Sequence, residues 1–114
     1  AAGTASRELR IGPLLLDLNA EQVWMSGREI ELTAYEYRLL EQLASGRGKV
    51  LSKQSLAERL YPHDEDRESN VIEVLVGRLR RKLDPEGQLN PIETLRGRGY
   101  RLSLTADTAE GGSG

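Results

Sequence analysis

The chain has no cysteine among its 114 residues. Neither a disulfide framework nor a thiolate metal site can therefore be built from it, and a reducing cytoplasm is compatible with it. It lacks any apolar run near the roughly 20 residues that a bilayer-spanning helix needs. Its start, Ala-Ala-Gly-Thr-Ala-Ser, lacks the apolar core of a signal peptide and reads as a linker or the scar of an excised piece. His63 is the single histidine and sits among acids, as a loop residue ordinarily does. Asp64, Glu65 and Asp66 could attract a divalent ion only loosely, because they lack the ligand spacing of a specific site. No nucleophile–base pair and no phosphate-cradling loop is visible. An enzyme is the weakest reading, and neither metal nor cofactor is expected.

The chain also lacks a net positive charge. Its balance is −2, against the basic footprint usual for a domain that meets nucleic acid. The distribution alters this picture. Residues 69–104 hold seven basic side chains against four acidic ones, and the remainder holds nine against fourteen. Local potential, rather than the total, steers a polyanion.

What is present suits one globular domain: 38% hydrophobic residues and a length within the single-domain range. Residues 1–7 read as linker, 8–104 as the domain and 105–114 as a disordered tail ending Gly-Gly-Ser-Gly. Leu9–Ile11, Leu14–Leu18, Gln22–Met25 and Glu29–Leu32 read as four strands of an antiparallel meander. Gly12-Pro13, Asn19-Ala20 and Ser26-Gly27 supply the turns between them. Trp24 is expected to pack under this sheet. Thr33 and Glu36 form a capping box for a first helix, with Leu32 and Tyr37 as its hydrophobic staple, and Gly46 ends the helix as its C′ residue. Ser52 caps a second, shorter helix that stops at Tyr61-Pro62. After a charged link, Ser69 is the expected cap of a third helix over 70–83, closed by Asp84-Pro85-Glu86-Gly87. Ile92–Arg96 and Gly99–Leu104 make a terminal hairpin. The expected fold is α+β: a winged helix-turn-helix with an N-terminal four-stranded antiparallel sheet, three helices and a C-terminal β-hairpin wing.

At about 100° per residue, Ile72, Val76, Leu79 and Leu83 share one stripe of the third helix, with Leu75 at its edge, and these are expected to face the core. Asn70, Val74, Gly77 and Arg81 lie opposite, flanked by Arg78 on one side and by Glu73 and Arg80 on the other. A helix fits the major groove of DNA, where arginine forks meet guanine or phosphate, an amide meets adenine, and valine meets a thymine methyl. Gly77 costs about 1 kcal/mol relative to alanine in a helix, which would be explained if a side chain there met the DNA. Glu73 would repel phosphate and is expected to pair within the chain, with Arg80. The alternative is a solvated face with scattered charges. In the wing, Arg96 and Arg98 alternate with Gly97 and Gly99, a pattern that suits a narrow minor groove. The alternative there is a charged hairpin edge.

The motifs Ile-Glu-Leu-Thr-Ala-Tyr-Glu-Tyr-Arg-Leu-Leu (30–40), Val-Leu-Ser-Lys-Gln-Ser-Leu (50–56), the third helix and Thr-Leu-Arg-Gly-Arg-Gly-Tyr-Arg-Leu (94–102) occur in order. Over Leu9–Leu104 the chain resembles the OmpR/PhoB family, the C-terminal DNA-binding domains of two-component response regulators. The resemblance implies a cytoplasmic transcription regulator in a phosphorelay, whose recognition helix contacts double-stranded DNA through Asn70, Val71, Val74, Arg78 and Arg81. It implies that Arg80 contacts the backbone or supports the helix. Thr94 would lie near phosphates, Arg96 would enter the minor groove and Lys53 would meet a phosphate. It also implies tandem copies on direct repeats (monomeric alone, dimeric on DNA) and a preceding receiver domain that this chain does not contain. The loop 62–68 would touch RNA polymerase, or else be a solvated connector. Leu75 and Gly77 stand where relatives carry histidine or arginine, so contacts would be lost there. The competing reading is a protein-interaction module on the same scaffold, without DNA specificity of its own.

Overall fold

The computed structural model describes residues 7–62 and 70–104. The expectations placed on 1–6, on 63–69 (most of the proposed polymerase loop, His63, the acidic run and the Ser69 cap) and on 105–114 lie outside the described residues. Four strands, β1 (Glu8–Ile11), β2 (Leu14–Asp17), β3 (Gln22–Met25) and β4 (Arg28–Ile30), form an antiparallel meander in sequence order. The β3–β4 turn shows how local chemistry fixes register. Ser26 and Gly27 both adopt positive φ, 56° and 83°, the backbone of a two-residue hairpin whose twist matches its strands. Met25 consequently pairs with Arg28, and Val23 with Ile30.

Alternation then sorts the sheet. Ile11, Leu14, Leu16, Val23, Met25 and Ile30 are buried on one face. Trp24, expected beneath the sheet, stands on the other face, half-buried between its cross-strand partners Leu15 and Glu29. The two-residue strand period leaves no other place for it once Val23 and Met25 turn inward.

Three helices follow: α1 (Ala34–Ser45), α2 (Lys53–Leu60) and α3 (Val71–Leu83). The capping box of α1 is formed as expected. The Glu36 N–H donates to Thr33 Oγ1 at 3.3 Å, and the Thr33 N–H donates to Glu36 Oε1 at 2.9 Å. The same Glu36 oxygen accepts a hydrogen bond from Lys82 Nζ at 2.6 Å, so one carboxylate joins the start of α1 to the last turn of α3. The end of α1 differs from expectation. Gly46 stays right-handed at φ −73°, and the left-handed residues are Arg47 and Gly48. The N–H of Arg47 reaches Ala44 O at 3.1 Å, a tightened last turn that carries helical backbone one residue further.

Ser52 Oγ caps α2 by accepting the Ser55 N–H at 3.0 Å. α3 begins at Val71, one residue later than expected, with Asn70 at its N-cap position making no side-chain cap bond. Beyond α3 the chain folds around Asp84, whose carboxylate accepts the backbone N–H groups of Gln88, Leu89 and Asn90 at 2.9–3.1 Å. That loop leads into β5 (Ile92–Leu95), which pairs with β6 (Gly99–Leu102) as the wing.

The wing is anchored by one close approach. Leu51 and Tyr100 exchange backbone hydrogen bonds of 2.8 and 2.9 Å, which adds a third strand position beside β6. Gly99, at φ 141°, makes this possible. An added Cβ would collide with the Leu51 carbonyl and lie only 2.8 Å from Ser52 Cα.

Two outcomes follow for stability. Gly99→Ala forces Leu51 and Ser52 to move, and should destabilise by about 2 kcal/mol or more because it combines overpacking with a strained φ; an unchanged denaturation midpoint would contradict the bridge. Burial raises the Glu36 carboxyl, but the Lys82 hydrogen bond, the Thr33 N–H and the Lys82 charge outweigh it and hold the group below its ordinary value. Its stabilising contribution is therefore complete above the unfolded-state pKa and is lost as pH falls through the folded one. Lys82→Met should cost about 1–3 kcal/mol, discounted because Lys82 is more than a third exposed, and should flatten the acid limb of stability measured by urea titration against pH.

Candidate nucleic-acid interface

α3 buries Ile72, Leu75, Val76, Leu79 and Leu83. A thirteen-residue helix with that inner stripe must turn its remaining residues outward. Asn70, Glu73, Val74, Arg78 and Arg81 are exposed, and Val71 is half-buried against the core. Val74 is 42% exposed, an apolar side chain in the middle of a polar face. Gly77 lies on the same face, and a Cβ there would meet nothing within 4 Å. Nothing in the fold therefore requires glycine at this position.

Leu75 faces the core, as its place at the edge of the inner stripe predicts. It is 5% exposed and belongs to the core, so it leaves no gap on the outer face. The stripe edge turned inward because α3 packs against both α1 and α2.

Arg80 is committed within the chain. Its Nε and Nη2 donate to Ile92 O at 3.2 and 2.8 Å, and Nη2 also donates to Thr94 Oγ1 at 2.6 Å. It ties α3 to the first wing strand and orients the exposed Thr94. Glu73 pairs with Lys53 Nζ at 3.0 Å, not with Arg80 as expected. The wing captures Arg80, while the start of α2 brings Lys53 up to the first turn of α3. Lys53 and Glu73 are both exposed, and the pairing raises the Lys53 ammonium above its ordinary value.

At the wing tip, Leu95 pairs with Gly99, and Arg96, Gly97 and Arg98 make the turn. Gly97 takes φ 73°, which glycine adopts without strain. Arg96 and Arg98 are exposed. Arg101 on β6 is held by its cross-strand neighbour Glu93 at 2.7 Å. Among the described residues, Arg78, Arg81, Arg96 and Arg98 have no carboxylate partner. A groove of about 460 Å³ runs between the wing (Thr94–Tyr100), the start of α2 (Ser52–Gln54) and Glu73.

Sequence reasoning missed part of this arrangement. Ser52, Gln54 and Tyr100 line the groove because of the Leu51–Tyr100 bridge. That bridge joins positions 49 residues apart, and its only local signal is the glycine at 99.

Residues 27–102 match the family model "Transcriptional regulatory protein, C terminal". The chain is 51% identical over 100 residues to the two-component response regulator PhoP of Pseudomonas aeruginosa, covering 88% of this chain and 44% of that protein. It thus spans less than half the length of the curated relatives it matches. Among solved structures, the DNA-binding domain of CpxR from Escherichia coli superposes with a TM-score of 0.72 at 31% identity, covering 85% of this chain and 96% of that one. The Klebsiella pneumoniae RstA DNA-binding domain, solved in complex with the RstA box, gives 0.74 at 27% identity and covers 84% and 96%. The inward stripe of α3, the wing anchored beside it and these likenesses agree: the chain belongs to the C-terminal transcriptional-regulator family, the DNA-binding effector domains of OmpR/PhoB-type response regulators.

Proposed function

We propose that this domain binds duplex DNA sequence-specifically, with α3 in the major groove and the wing at the adjacent minor groove. The observation that carries the reading is the set of four arginines without carboxylate partners, Arg78 and Arg81 on α3 and Arg96 and Arg98 on the wing, left exposed by a chain of net charge −2. Elsewhere acids outnumber bases, so these arginines mark where a polyanion is attracted. Arg78 and Arg81 supply planar forks for guanine edges or phosphates. Val74 and Gly77 make a low apolar strip that admits a thymine methyl. Asn70 and Val71 stand where the helix enters the groove. Arg96 and Arg98 reach the minor groove, and Thr94, set by Arg80, meets a phosphate.

We extend the same proposal to the whole protein. A receiver domain precedes this domain in the longer chain, phosphorylation there controls it, and two copies occupy directly repeated half-sites. The protein works in the cytoplasm as a transcription regulator rather than as an enzyme, and the loop 62–68 meets RNA polymerase. Length supports the first of these, since the P. aeruginosa relative is more than twice as long as the matched region.

Selection of bound duplexes from a random pool should enrich a short directly repeated element. On the selected duplex, Arg96→Ala should reduce the slope of log affinity against log salt by about 1, as expected when one cation lying in the minor groove between its flanking phosphates is lost. Arg78→Ala should cost about 1–3 kcal/mol, concentrated at one base position if it reads a base edge. Binding unchanged in both variants would refute the surface assignment. Arg80→Ala tests the strut: it should destabilise the fold by about 1.5–3 kcal/mol, the range for hydrogen bonds involving a charged group, and weaken all duplexes alike.

A further inference from the structure

Glu73 is the one acid among the described residues lining the groove between the wing and the start of α2. An acid there opposes the attraction of Arg96 and Arg98 for phosphate, so its presence needs a physical account. The fold does not demand it. Its side chain is half-exposed, and its one recorded partner is the Lys53 ammonium at 3.0 Å, which is equally exposed. Lys53 sits in the first turn of α2 beside the Ser52 cap, with the α2 N-terminus and wing residues Arg96–Tyr100 around it. A cation so placed faces whatever anion enters the groove, yet its charge is already matched by Glu73.

We infer that Glu73 is an affinity-setting residue that competes with a DNA phosphate for Lys53 and so holds down the affinity of a single domain for any duplex. This rests on the DNA-binding reading proposed above. An exposed ion pair is weak and screened, so it can open when a phosphate arrives. Opening it leaves the Glu73 carboxylate facing the same phosphate, which removes most of the gain. Lys53 then adds little to the counterion release that dominates sequence-independent binding. The consequence suits a domain that acts in pairs: with one copy held weak, stable occupancy comes to depend on a second copy bound alongside.

The competition is read by a double-mutant cycle on the whole domain. The probes are a duplex selected from a random pool and a shuffled duplex of the same composition, each titrated over roughly 50–200 mM salt, the range in which phosphate contacts are resolved. Glu73→Gln should tighten both duplexes about three- to tenfold at the low-salt end and steepen the log–log slope by about 1, as one newly engaged phosphate requires. Lys53→Met in the same chain should cancel that gain to within about twofold. Glu73→Ala should behave like Glu73→Gln, and melting curves should show all variants folded. A gain that persists without Lys53 would reduce Glu73 to a diffuse charge effect and overturn the competition. Loss of affinity confined to the selected duplex would instead make Glu73 a base contact, also against the proposal. If the unsubstituted domain retains neither duplex at low salt, the DNA-binding reading itself falls and the inference with it; binding with no coupling between the two sites sinks the inference alone.

Discussion

The burial of one stripe of α3 is the constraint from which the rest follows. Ile72, Leu75, Val76, Leu79 and Leu83 are all nearly inaccessible, packed where α3 meets α1 and α2. Each large side chain of this kind is worth on the order of 2 kcal/mol when withdrawn from water, so the helix has one rotational setting that the core accepts. With that setting fixed, Arg78, Arg81 and Val74 must face solvent, and no local preference of their own is needed to expose them. The Lys82–Glu36 hydrogen bond reinforces the same setting from the far end of the helix.

The wing depends on α3 in turn. Arg80 leaves the polar face to hold Ile92 O and Thr94, and Gly99 lets β6 approach Leu51 closely enough to exchange two backbone hydrogen bonds. Wing, α2 and α3 thus share one rigid corner. Three basic side chains are spent inside it, on Lys53–Glu73, Arg80–Thr94 and Arg101–Glu93, while four arginines stay uncommitted. That division is more informative than the net charge. A domain with more acids than bases still presents a cationic working face, because its bases there are not all neutralised by neighbours.

Much of this was legible in the chain. The Thr33–Glu36 capping box, the Ser26-Gly27 hairpin and the Ser52 cap are short-range devices whose partners lie within four residues, and all three form as read. The errors fall where a distant element intervenes. Helical proximity matches Glu73 to Arg80, but the wing captures Arg80 and Lys53 arrives from α2. Size alone puts Trp24 beneath the sheet, whereas the strand period and the burial of Val23 and Met25 decide its face. At the end of α1, one residue of tightened helix moved the left-handed turn from Gly46 to Arg47 and Gly48.

The sequence by itself determined the order of elements, the inner stripe of the third helix and the arginine-glycine turn of the wing. These follow from periodicity and from backbone preferences that act over a few bonds. Only the tertiary structure decided which cations pair within the chain. A long basic side chain has several carboxylates and carbonyls within its reach, and its choice among them depends on elements that approach from tens of residues away. The Lys53–Glu73 pair spans 20 residues and the Leu51–Tyr100 bridge 49, and neither partner can be read from periodicity before the chain folds.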